Sequence, residues 1–254
     1  MKRLKNFLLL LAAAPVVAFA SGAAVQLDRA PVNVADQDSL QRGARTFVNY
    51  CLSCHSAASM RYSRLQDLGL TEEQIKDNLL FAAEKPGETM KVGMSKADGK
   101  AWFNATPPDL SVIARSRGAD WLYTYMRGFY RDKSTPTGWN NTVFDKVGMP
   151  HVMWDLQGEM APVYKKVGEH EVIDRLELIK PGSVTLAEYD AMVGDLVNYL
   201  VWMGEPDQLK RKQLGIITRP PQASEQSSKT ATTTARATPV SPASPASPCR
   251  TRTR

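Results

Sequence analysis

Apolar positions recur at helical spacing in a few places along the chain, and long stretches between them show no period. From Ser39 to Tyr50, Leu40, Ala44, Phe47 and Val48, with Cys51 next, fall at offsets of 4, 7, 8 and 11 and form one helical face. Thr71-Glu72-Glu73-Gln74 has the form of a capping box and predicts a helix to about Glu84, stopped by Pro86. Asp120 is expected to cap an aromatic stretch over Trp121–Tyr130. A second capping box, Thr185-Leu186-Ala187-Glu188, opens a stripe of Tyr189, Met192, Val193, Leu196, Val197, Leu200 and Val201, ended by Gly204 and Pro206. Residues 85–119 and 131–184 are read as long connections without sustained alternation. Connections that long in a compact domain signal function or a constituent that they wrap.

The two ends differ in kind from this middle. Lys2, Arg3 and Lys5 precede an uncharged run from Phe7 to Ala20 that closes on Ala18-Phe19-Ala20, the pattern of a secretory signal peptide over residues 1–24. The run falls short of the ~20 apolar residues that span a bilayer. From Arg219 the chain turns to Pro, Ser, Thr and Ala with no aromatic residue, a composition expected to remain disordered.

Composition adds a constraint and removes a suspicion. With 254 residues, 43% hydrophobic and 23% charged, the chain belongs with soluble globular proteins. The net charge of +6 would suggest an acidic partner or nucleic acid. Residues 1–24 carry +3 and residues 219–254 carry +5, however, so 25–218 sum to −2. No nucleic-acid footprint is expected on the folded part.

Three cysteines exclude a disulfide scaffold. Two of them stand in Cys51-Leu52-Ser53-Cys54-His55, C-x-x-C-H, the attachment signature of c-type haem. Two thiols add to the haem vinyl groups and the adjacent histidine ligates the iron. A thioredoxin-like pair would need a preceding strand, whereas a helix precedes here. A zinc site would need further ligands from Cys249, His151 or His170. Haem on an exported chain makes an extracytoplasmic cytochrome. The occupant of the second axial position separates an electron carrier from a catalyst. Met149, in Val147-Gly148-Met149-Pro150, sits in a loop with stiff flanks that suits a ligand strap. Met160, in Gly158-Glu159-Met160-Ala161-Pro162, competes with it, and His151 would give bis-histidine ligation.

These pieces together resemble cytochrome c1, the haem subunit of the cytochrome bc1 complex, in its bacterial form. The resemblance runs from Leu27 to Ile216 and rests on Gly43-Ala44 through Ser56, Thr106-Pro107-Pro108-Asp109-Leu110-Ser111, Arg115-Ser116-Arg117-Gly118, Val147-Gly148-Met149-Pro150, and Leu200–Pro206 followed by Lys210-Arg211-Lys212. It implies a mainly α, cytochrome c-like haem domain over 25–216 with long loop insertions, in which the Ser39–Tyr50 and Leu186–Met203 helices pack together. One haem c would be attached at Cys51 and Cys54 with His55 and Met149 as axial ligands. Arg117 would pair a haem propionate and Pro108 would pack near the ring. The implied function is one-electron transfer from the Rieske iron-sulfur protein to a soluble or tethered cytochrome c, beside cytochrome b, at the periplasmic face of the inner membrane. No bond chemistry is expected of the chain itself. A free periplasmic monohaem shuttle and a haem enzyme with an open axial site are the competing readings. The resemblance also implies a membrane anchor after Lys212, where residues 217–254 instead become low-complexity sequence. That switch reads as a changed reading frame, and Cys249 belongs to it.

Overall fold

The computed structural model describes residues 26–218; the leader and the Pro-rich tail lie outside them. Two helices organise the core. Helix α1 (Gln37–Thr46) starts at Asp36, whose side chain accepts from Ser39 N. It continues into a π-helical turn, Phe47–Cys51, that delivers the first cysteine. The long C-terminal helix, Leu186–Gly204, opens with the expected capping box: Thr185 Oγ1 accepts from Glu188 N and the Glu188 carboxylate accepts from Thr185 N. The two cross so closely that a Cβ at Gly43 would lie 2.1 Å from the carbonyl oxygen of Asp195. Arg42 makes a bidentate pair with Asp195 at 2.6 and 3.1 Å beside that crossing. Phe47, Ala44, Val193, Val197 and Tyr199 are fully buried there.

Between these helices the chain is more structured than its pattern predicts. The capped helix α2 is only Glu72–Asn78, short of the expected Glu84. Asn78 turns its side-chain amide onto the Gln74 carbonyl, and Leu79 N and Leu80 N both converge on the Ile75 carbonyl, which closes the helix. Leu79 then drops into the core. The stretch 85–119 holds a short strand, β2 (Thr89–Met90), paired with β1 (Ala57–Arg61), and two helices, α3 (Lys96–Phe103) and α4 (Ile113–Arg117). Helix α5 (Ala119–Arg127) is not capped by Asp120; that carboxylate accepts from Ala30 N at 2.8 Å and fastens the N-terminal segment. Phe129–Arg131 leaves the helix as β3 and pairs with β4 (Trp139–Asn141), Arg131 opposite Trp139.

The largest departure is a hairpin of β5 (Gly158–Val167) and β6 (His170–Pro181), preceded by the short helix α6 (Trp154–Gln157). Gly168, at φ +64°, supplies the positive dihedral its two-residue turn needs. Away from Gly158 and Met160 both faces of the hairpin are exposed or half-buried, so no alternation was imposed on its sequence. Helix α7 is then Leu186–Gly204 and α8 is Gln208–Thr218. Helices predominate, accompanied among the described residues by three two-stranded antiparallel sheets. No helix among the described residues is long and apolar enough to cross a membrane.

Candidate haem site

A cavity of about 520 Å³ opens between the π-helical turn, α4, α5, α7 and the loop after β4. Cys51, Cys54 and His55 line it with Pro108, Arg117, Trp121, Tyr125 and Met149, and apolar atoms dominate its wall. Its volume lies in the range of pockets that take cofactor-sized ligands. Met160 and His151 do not line it. Met160 is buried in β5 opposite Leu178, and His151 is enclosed by Phe129, Trp139 and Gln157.

The C-x-x-C-H segment is set by two local devices. After the π turn, Cys54 N and His55 N both donate to the Cys51 carbonyl, so the chain winds tightly and brings both thiols and the imidazole to one wall. The Pro-Pro-Asp-Leu-Ser segment then zips along the residues that follow. Asp109 accepts from Ala58 N and Ser111 N at 2.8 Å each, Leu110 N donates to the Ser56 carbonyl, and Ser59 N donates to Ser111 Oγ. Burial opposes the Asp109 charge, but its hydrogen bonds from Ser111 and Ala58 N hold the carboxyl below its usual range. The Pro108 carbonyl thereby comes to rest 2.7 Å from His55 Nδ1. A carbonyl only accepts, so Nδ1 carries the proton and Nε2 keeps its lone pair. Burial lowers the His55 pKa, with the Pro108 bond opposing, and the ring stays neutral at neutral pH. Pro108 thus lines the cavity and also meets His55 through its backbone carbonyl.

The Met149 loop is held by two buried asparagines that the sequence reading passed over. Asn140 donates to Asp132 and Asp145 at 2.9 Å each and accepts from Lys146 N at 2.8 Å, where Lys146 has φ +55°. Asn141 accepts from Val143 N at 2.9 Å and donates to the Tyr125 carbonyl at 2.7 Å. Gly148 lets the loop press against α3: a Cβ there would sit 2.8 Å from the Phe103 carbonyl oxygen. The Tyr125 hydroxyl donates to Met149 Sδ at 3.4 Å. The only sequence signal for these supports is the Trp139-Asn140-Asn141 cluster inside a supposed loop.

Arg117 reaches the rim, exposed to solvent, with its guanidinium 5.1 Å from the Trp121 ring centre. Arg115 lies elsewhere, its methylenes 3.3 Å from where a Cβ of Gly204 would be. Cys51 is 8% exposed, and burial pushes its thiol up to about 12.

An apolar cavity walled by two thiols and a neutral imidazole whose Nε2 keeps its lone pair fits a c-type haem and points to a haem protein. Residues 28–219 match the Cytochrome C1 family. The chain is 45% identical over 217 residues to cytochrome c1 of Allochromatium vinosum, covering 84% of this chain and 87% of that protein. It is 50% identical over 216 residues to a Nitrosomonas europaea protein named ammonia monooxygenase gamma subunit, covering 85% and 89%. Mitochondrial cytochrome c1, heme protein, of Saccharomyces cerevisiae is 24% identical over 215 residues, 74% of this chain and 62% of that one. The chain belongs to the cytochrome C1 family. Its cofactor is one covalently attached haem c, and its function is electron transfer in the bc1 complex.

Proposed function

We propose that residues 25–216 form a cytochrome c-like haem domain with long insertions, which carries electrons one at a time from the Rieske iron-sulfur protein to a soluble or tethered cytochrome c. Cytochrome b is its other neighbour, and the domain works at the periplasmic face of the inner membrane. The observation that carries this reading is the convergence of Cys51, Cys54, His55 and Met149 on one cavity, with His55 Nδ1 committed to the Pro108 carbonyl. When bound, the haem supplies a one-electron iron couple.

The chain's own residues do the rest. Cys51 and Cys54 would hold the group covalently through thioethers formed by adding their thiols across its vinyl groups. His55 would present Nε2 to the iron, its tautomer and orientation fixed by its bond to Pro108. Met149 would present its thioether to the iron from a loop anchored by Asn140 and Asn141. Arg117, at the rim, would pair a propionate and offset the cost of bringing that charge near an apolar wall. With His55 and Met149 both holding the iron, no open position would be left for a substrate, which supports an electron carrier over an open-site enzyme.

The ferric protein is predicted to show the near-infrared methionine-to-iron band, lost in Met149→Leu and retained in Met160→Leu. A band that survives Met149→Leu would overturn the ligand assignment.

A further inference from the structure

Tyr125 stands in the cavity wall in an unusually constrained way. Its ring stacks on Trp121 at 4.8 Å and 12° and meets the edge of Phe129 at 5.1 Å. Its own carbonyl accepts from the Asn141 amide at 2.7 Å, and Asn141 also holds the loop that carries Met149. Helix α5, the asparagine and the aromatic stack thus fix the phenol from three sides, and its hydroxyl donates to Met149 Sδ. A buried tyrosine hydroxyl needs a partner, and here the partner is a sulfur on the wall of the cofactor cavity.

We infer that Tyr125 is a positioning residue that sets the redox potential of this protein by hydrogen-bonding the sulfur of its methionine ligand. The inference rests on the reading above that Met149 ligates the iron. A thioether sulfur has two lone pairs, so one is available to iron while the other accepts the phenol proton. The hydrogen bond draws electron density from the sulfur and weakens its donation to the metal. Ferric iron depends on that donation more than ferrous iron, so the bond favours the reduced form and raises the potential. Tyr125 does not hold the ligand in place; Asn140, Asn141 and Gly148 do that.

The test compares Tyr125→Phe and a protein carrying 3-fluorotyrosine at position 125 with the wild type, all as haem-loaded protein, by redox titration and near-infrared spectroscopy. Phenylalanine keeps the stacking and removes only the donor. At a fixed ambient potential its ferric-to-ferrous ratio is expected to rise about two- to tenfold, the range of one net hydrogen bond, with the near-infrared band retained. Fluorotyrosine, a stronger donor of nearly the same shape, should shift the ratio the opposite way, a response that packing alone would not give. Tyr123→Phe, on the same helix and outside the cavity, should leave the ratio unchanged. A retained band with an unchanged ratio in both 125 variants would overturn the inference while leaving Met149 as ligand, and so would loss of the band in Tyr125→Phe. Absence of the band in the wild type itself would instead remove the reading on which the inference stands.

Discussion

His151 is 1% exposed, stacked parallel on Phe129 at 4.8 Å, with Nε2 bonded to Gln157 at 2.7 Å. Burial lowers its pKa from 6.5 to about 4, the Gln157 bond opposing. Below pH 6.5 the unfolded chain therefore takes up a proton that the folded chain refuses. Stability present above that pH is lost as pH falls to about 4, by up to about 3 kcal/mol. Denaturant unfolding of wild type and His151→Leu across this range should give a visibly flatter pH dependence in the variant; parallel curves would refute the assignment. Residue-scale chemistry was legible in the sequence where it is local. Cys51, Cys54 and His55 announce themselves because two attachment points and a ligand must share one turn. The Pro108 carbonyl and Asn141 do not, because they act on His55 and Tyr125, residues distant in the sequence, and Asn140 does not because its bonds close an irregular loop that leaves no period. The residues alone leave Met149 and Met160 in competition and the family resemblance favours Met149; in the structure Met149 lines the cavity and Met160 does not. The near-infrared band of Met149→Leu and Met160→Leu decides between the two as ligand.

At the level of elements, stripes and capping boxes found helices α1, α2 and α7, since their buried faces leave a period in the sequence. The hairpin left none, because water reaches both of its faces over most of its length. Asp120 looked like a cap because its residue type suits one, yet tertiary structure gave it the Ala30 amide instead. The crossing of α1 and α7 was expected, and Gly43 explains how near the axes come. Gly43→Ala should destabilise the fold by about 1–3 kcal/mol, as overpacking does. Gly87→Ala, where the added methyl meets nothing within 4 Å, should cost less. Denaturant midpoints of the two variants check this, and an equal effect would show that the helices separate without penalty.

The whole molecule presents a site built from segments far apart in sequence: a helix-terminal turn at 51–55, the segment 106–110, helix α5 and the loop at 147–150. Segments 106–110 and 147–150 fall within the two long connections, which therefore wrap the cofactor cavity as their length suggested. The basic excess lies outside residues 25–218, which sum to −2, so the described domain offers no uniformly basic surface. What composition could not reveal was how these segments fold back on one another, because their bonds cross tens of residues. Every role proposed for this cavity depends on one haem bonded covalently to Cys51 and Cys54. A pyridine haemochrome spectrum of the purified protein, taken before and after acid–acetone extraction, tests it most directly. One haem per chain with both vinyl groups saturated, remaining with the protein after extraction, is the predicted result; pigment that leaves with the solvent, or a spectrum of intact vinyl groups, would contradict it.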